Sequence, residues 1–429
     1  MSTFLGEKQS TELRSEEDLS HYFESFAKSH DAMRVGIEVE FLGVHKATGR
    51  ALPYDGPDGI HEVLKLLAKL YGYDPVLENG NIIALGREGR IVVSLEPGGQ
   101  LELSAPPAIN VFEVEAQIQQ FLSELREVRA RLPGIEWLAV GIQPFSGLGD
   151  APMVPKHRYL IMEEYFKTHG TLSHEMMKLT ATNQVNFDYL SEENAMSSLR
   201  VVLGITSIIS ALFSNSSFSN GRPNGFMTRR VHIWNHTDPD RTGLILPFTR
   251  SGCTFKDYLD YVLRIPMFFI VRRGKWAPMQ GVRFRDFIRN GFEGTRATLA
   301  DFELHLGTVF PEARLKQYLE IRGVDCQSPG LISAVAAFWK GILYDPVTRE
   351  LAWDLVSFAS EEDRLRLHPE IPEKGLAAVL GTEPIFPIAQ ELVDLSCASL
   401  TKQKTKDEKR DECRFLCDIR QKIIKTKKS

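Results

Sequence analysis

Two short stretches each set paired carboxylates on one side of an extended chain. In Arg34-Val-Gly-Ile-Glu-Val-Glu-Phe41 the alternation is strict. Glu38 and Glu40 project one way, while Ile37, Val39 and Phe41 project the other. In Ser94-Leu-Glu-Pro-Gly-Gly-Gln-Leu-Glu-Leu-Ser104 the residue types predict strand, tight turn, strand. Pro97 fixes φ, and Gly98 and Gly99 tolerate the backbone angles of a sharp reversal. Past the turn, Gln100, Glu102 and Ser104 share one face and Leu101 and Leu103 the other; Glu96 stands just before the bend. Carboxylates massed on one face are costly unless they meet water, an arginine or a metal. Two readings follow. The strands converge on a hard divalent cation such as Mg²⁺, which takes oxygen ligands and usually bridges to nucleotide phosphates, or they are solvated faces of an ordinary sheet.

Cations provide a second set of candidates. Lys156-His157-Arg158 follows a Pro- and Gly-rich bend, and Arg229-Arg230 precedes a predicted strand, Arg230-Val-His-Ile-Trp234. Arginine forms bidentate bonds to carboxylate and phosphate, and loops on a rigid scaffold are where such residues serve ligands. Thr180-Ala-Thr-Asn-Gln-Val-Asn-Phe-Asp188, read as a strand, lines up Thr180, Thr182, Gln184, Asn186 and Asp188. That polar face either borders a wet cavity or is exposed. Glu320 and Arg322 share a face of a predicted strand over 314–322; they could hold a metal and a phosphate oxygen, or form a structural ion pair. Asp238-Pro-Asp-Arg-Thr-Gly243 is turn chemistry. No Ser-His-Asp or Cys-His hydrolase arrangement and no glycine-rich phosphate loop is evident.

The elements that must position these residues are of mixed type. An amphipathic helix is predicted over 12–30, then the Glu38/Glu40 strand, a helix over 58–71, a hairpin turn at 78–81, and strands over 82–85 and 90–95. Helices are expected over 110–131, 159–168 and 192–218, strands over 137–143 and 180–189, and a string of shorter elements beyond 255. The apolar run 199–213 reads as a buried helix, too short and too interrupted to cross a bilayer. With 429 residues, 43% hydrophobic and 25% charged, the chain supports a large core. A net charge of −5 gives no hint of nucleic-acid binding. Five irregularly spaced cysteines fit a reducing compartment rather than a disulfide framework. The first residues lack the apolar stretch of a signal peptide, and a cytoplasmic protein is expected. Residues 1–400 read as one catalytic domain. The Lys-rich stretch 401–429 reads as a disordered or solvated helical tail.

Several collinear segments resemble the plant-type glutamate–cysteine ligases. They include Gly36-Ile-Glu-Val-Glu40, the 94–104 stretch, Gly141-Ile-Gln-Pro144, Met153-Val-Pro-Lys-His-Arg-Tyr-Leu-Ile-Met162, Thr182-Asn-Gln-Val-Asn186, Arg222-Pro-Asn-Gly-Phe226, His232-Ile-Trp234, 238–243, 311–323 and Ala337-Phe-Trp339. The resemblance implies an α+β, glutamine-synthetase-like fold, in which an antiparallel sheet cups the active site and helices pack behind it. It also implies ATP-dependent joining of L-glutamate to L-cysteine through an acyl phosphate, with Mg²⁺ on the nucleotide. Carried over by motif, Glu38, Glu40, Glu96, Gln100, Glu102 and Glu320 become metal-ligand candidates. Arg158, Arg230 and Arg322 become carboxylate or phosphate clamps, and Thr182 and Gln184 become substrate-pocket residues. ATP, glutamate and cysteine are then the expected partners, with neither nucleic acid nor membrane. The sequence also departs from plant members: Phe41-Leu42-Gly43 replaces a Lys-Phe step, the regulatory cysteines have no evident counterparts, and the motif likeness fades past Ser399. A related ligase with another amine acceptor, or a catalytically silent relative, are the competing readings.

Overall fold

The computed structural model describes residues 11–88, 90–279, 281–403 and 411–426. Strand β1 (Val35–His45) is its axis. After it come helix α1 (Ile60–Tyr71), strands β2 (Asp74–Glu78), β3 (Asn81–Arg87), β4 (Arg90–Leu95) and β5 (Leu101–Ser104), then helix α2 (Val111–Arg131). Strand β6 (Ile135–Leu138), helices α3 (His157–Tyr165) and α4 (Ser173–Leu179), strand β7 (Asn183–Phe187), and helices α5 (Glu192–Leu212) and α6 (Arg229–Asn235) continue the chain. The central sheet has nine strands in the order Ala313–Leu315, Leu319–Ile321, β7, β1, β5, β4, β3, β2, with β6 paired to the second half of β1. Every pairing within it is antiparallel. This is the α+β architecture expected from the sequence.

Alternation along β1 and its neighbours gives the sheet two unlike faces. Ile37, Val39, Leu103, Val93 and Val185 are buried on one of them, covered by α2 and by the helix Ile332–Leu343. Phe41 meets Phe121 of α2 at a ring distance of 6.0 Å. Removing such side chains from water contributes about 2 kcal/mol each. The other face carries the carboxylates. Helix α5 is long and apolar enough to span a membrane, but nearly all of that window is buried inside the protein. Ser191 caps it, its Oγ accepting from Asn194 N.

Several local expectations are corrected. Residues 12–30 form three short 3₁₀ turns instead of one helix. Phe23 there packs among Phe255, Tyr258 and Phe302, so tertiary aromatic contacts override helical periodicity. Residues 230–234 are helical: Thr228 Oγ1 caps α6 by accepting from Val231 N, although Val231 and Ile233 favour strands. Residues 314–322 make a hairpin turning at 316–318 rather than one strand.

The C-terminal reading also changes. After the helix Ile385–Gln403, a 3₁₀ turn (Glu412–Leu416) and a helix (Cys417–Thr426) fold back on the body. Leu416, Ile419 and Ile423 are buried. Glu412 accepts from Val111 N at 2.6 Å and from Lys340 Nζ at 2.6 Å, closing the N-terminus of α2. Cys397 and Cys413 form a disulfide with Cα atoms 4.7 Å apart, contrary to the all-thiol expectation. The solvated-tail reading therefore fails for 411–423; residues 404–410 and 427–429 lie outside the described residues.

Candidate active site

Directly paired residues in an antiparallel ladder project to the same face, so the register fixes which polar groups meet. One row runs Ser94, Glu102, Glu40. The next runs Ser104, Glu38, Gln184, and a third runs Asn186, Glu320, Arg314. From these rows Glu102, Glu40, Glu38, Gln184 and Arg314 line one cleft. Glu38, Glu40, Glu96, Gln100, Glu102, Arg158, Thr182, Gln184, Arg230 and Arg322 all line it. Of the residues carried over by motif, the structure brings together all but Glu320; Asn186 and Asp188 of the polar strand face, and Lys156 and His157, do not line the cleft.

The carboxylates lie close enough to feel one another. Burial pushes Glu40 well above the usual carboxylate range, and the charges of Glu96 and Glu102 push it further, against Arg230 and Arg322. Burial likewise raises Glu102, with Glu96 adding to it. Glu40 accepts from Thr182 N at 3.1 Å, Glu38 from Asn186 Nδ2 at 3.1 Å, and Glu102 from Ser104 Oγ at 2.7 Å. Glu96 and Gln100 flank the turn, where Glu96 N donates to Gln100 O and Gly99 N to Glu96 O. The Gln100 amide donates to Met177 O and Thr180 O, leaving its buried Oε1 without a partner. Among the described residues, no three His, Cys, Asp or Glu side chains are drawn in tightly enough to enclose a metal ion. The donor set is nonetheless all oxygen, with excess negative charge and an unsatisfied amide oxygen. That chemistry fits a hard cation.

Arginines share the lining. Arg230 lies in the first turn of α6 and its guanidinium donates to Arg322 O at 3.0 Å and Gly323 O at 3.3 Å, leaving a buried, unpartnered Nε. Its position is set from behind. Asp325 accepts from Asn215 N, Ser216 Oγ and Thr228 Oγ1, and Ser216 Oγ accepts from Arg230 N. Arg322 donates to Gln184 Oε1 and to Glu320 Oε1. Arg158, at the start of α3, lies 5.0 Å over the Tyr159 ring, and its Nε is also buried and unpartnered. Thr182 Oγ1 donates to Val324 O at 2.7 Å.

Glu320 has a different place. It is fully buried, pairs with Arg314 and Arg322 at 2.6 Å and with Lys316 at 3.2 Å, and is absent from the cleft lining. Burial alone would raise it, but Arg314, Lys316 and Arg322 hold it well below the carboxylate range. In this arrangement it anchors three cations rather than lining the cleft.

Sequence reasoning missed other lining residues: Tyr159, Trp234, Arg314, Phe310 and a wall of Met162, Met176 and Met177. Arg314 had no sequence signal, because only the hairpin register places it opposite Glu320; the methionines had none beyond hydrophobicity. The 238–243 turn proves structural: Arg241 and Asp238 form a fully buried pair at 2.6 Å, with the guanidinium 3.9 Å over Phe268.

A sequence profile described as glutamate-cysteine ligase family 2 (GCS2) matches residues 34–426, well past Ser399 where the motif likeness fades. The chloroplastic glutamate–cysteine ligase of Nicotiana tabacum is 38% identical over 395 residues, covering 91% of this chain and 74% of that protein. The chloroplastic enzyme of Arabidopsis thaliana is 37% identical over 401 residues, covering 92% of this chain and 76% of that protein. In fold, the chain resembles the glutamate–cysteine ligase of Francisella tularensis in complex with AMP: 13% identity, TM-score 0.53, 92% of this chain and 82% of that one. The cytoplasmic expectation is overturned, because the curated relatives are chloroplastic.

Proposed function

Since the chain belongs to glutamate-cysteine ligase family 2 and is a ligase, we propose that it joins the γ-carboxylate of L-glutamate to the amine of L-cysteine, using ATP. The observation that carries this reading is one cleft lined by both carboxylates (Glu38, Glu40, Glu96, Glu102) and arginines (Arg158, Arg230, Arg322). A γ-carboxylate oxygen attacks the terminal phosphorus of ATP, giving γ-glutamyl phosphate and ADP. The cysteine amine then attacks the acyl carbon, phosphate leaves, the amine loses a proton and γ-glutamylcysteine forms. No protein nucleophile is needed.

Arg158, Arg230 and Arg322 clamp the substrate carboxylate and the moving phosphoryl group, each presenting a planar fork that suits those anions. Two facts support the assignment: their place in the lining of one cleft and the unpartnered Nε atoms of Arg158 and Arg230. Gln184 orients Arg322, and Thr182 shapes the wall through Glu40 and Val324. Glu38, Glu40, Glu96, Glu102 and Gln100 Oε1 would hold Mg²⁺, which when bound neutralises phosphate charge as the phosphoryl group transfers. The methionine wall offers a soft, polarizable surface for a sulfur-bearing side chain, which favours cysteine over a polar amine.

The test is ADP release with Mg·ATP, glutamate and a panel of amines. Cysteine is expected to raise the rate above that with glutamate alone and above the other amines. Equal release with and without cysteine would discard cysteine as the acceptor.

A further inference from the structure

The turn carrying Glu96 and Gln100 is gripped from outside by the segment 154–180. Val154 N donates to Pro97 O at 2.9 Å. The Leu95 carbonyl receives two donors at once: Lys156 Nζ at 2.6 Å and the Tyr159 hydroxyl at 2.7 Å. Lys156 is only 3% exposed. A lysine is seldom buried so fully, because its ammonium forfeits hydration. Burial lowers its pKa to about 8, as does Arg158, while Glu96 and Glu102 oppose the shift.

The geometry explains what this arrangement achieves. The carbonyl of Leu95 and the N–H of Glu96 belong to one rigid peptide plane. One edge of that plane is held by Lys156 and Tyr159; the other is held by the bond from Glu96 N to Gln100 O at 3.0 Å. A plane fixed at both edges fixes the direction in which Glu96 leaves the main chain. Resting on the metal reading above, we propose that Lys156 is a positioning residue: with Tyr159 it locks the Leu95 carbonyl and so aims Glu96 and Gln100 at the bound cation.

Positioning and simple charge make opposite predictions. Deleting a positive charge beside carboxylates should tighten cation binding, whereas releasing the peptide plane should weaken it. Mn²⁺ binding to the full chain, followed by electron paramagnetic resonance with a non-hydrolysable ATP analogue, reads the difference without turnover. K156M is expected to weaken Mn²⁺ binding about ten-fold, the scale seen when groups that orient metal ligands are lost. K156R should recover most of that loss. Y159F, which removes the second donor at unchanged charge, should weaken binding in the same direction. It decides the matter if K156M does not fold. Mn²⁺ binding as tight as wild type in K156M, or in Y159F where that variant decides, would overturn this inference alone. Wild-type protein that binds no Mn²⁺ would overturn the metal reading and this inference with it.

Discussion

Replacing Glu320 with glutamine keeps the shape of the side chain and removes its charge. The carboxylate sits 2.6 Å from both Arg314 and Arg322 and 3.2 Å from Lys316, with no exposure. At an effective dielectric of about 20, one ion pair a few ångströms apart contributes about 4 kcal/mol. Three such pairs are offset by the desolvation of four charges and by repulsion among the cations. Breaking a buried pair from one side typically costs about 3–5 kcal/mol, and that is the expected loss for E320Q. Urea denaturation at pH 7 measures it. The pH dependence has a fixed sign. The folded state holds Glu320 well below its ordinary value of 4.5. Its contribution is therefore complete above that value and is lost as pH falls below it toward the depressed folded pKa. The gap between wild type and E320Q should narrow in acid. Stability within about 1 kcal/mol of wild type, together with a large rise in the Mg²⁺ needed for activity, would refute the anchor role and return Glu320 to the metal.

Other perturbations separate the walls of the cleft. E96Q should abolish Mg²⁺-dependent turnover while leaving the urea midpoint in place; turnover like wild type would remove Glu96 from the metal set. R230K keeps the charge but loses the fork that reaches Arg322 O and Gly323 O; kcat/KM should fall on the order of 100-fold, as steady-state kinetics will report. A Cβ at Gly98 would lie 2.1 Å from the Lys178 carbonyl oxygen. Main chain cannot yield there, so G98A should displace the carboxylate-bearing turn and lower stability by about 1–3 kcal/mol in a urea melt. C397S opens a loop with a sequence separation of 16 residues, and should lower stability by up to about 3 kcal/mol, visible in thermal melts with and without reductant.

The floor of the cleft was legible because a period of two needs no tertiary information: Glu38, Glu40, Glu102 and Gln184 fall on one face by counting alone. The arginines were legible only as residue types. Arg230 was placed on the wrong element, since Val231 and Ile233 favour strands while the Thr228 cap, three residues before Val231, decides for helix. Glu320 was readable from sequence either as a metal ligand or as one half of an ion pair with Arg322; only the hairpin register shows Arg314 directly across from it. In the Lys-rich tail, net charge hid Leu416, Ile419 and Ile423, whose spacing of three and four was the available sign of a buried helical stripe.

The bond from Val111 N to Glu412 spans 301 positions in the sequence. Helix α2 backs the strand that carries Glu38 and Glu40, yet the group that closes its first turn is made 301 residues later. A nascent chain emerging from the ribosome therefore exposes an unfinished sheet support until about residue 423 is available. Folding that depends on such distant partners is slow and vulnerable to aggregation. Premature termination after the helix Ile385–Gln403 would yield a chain carrying every side chain of the cleft but missing the clasp behind it.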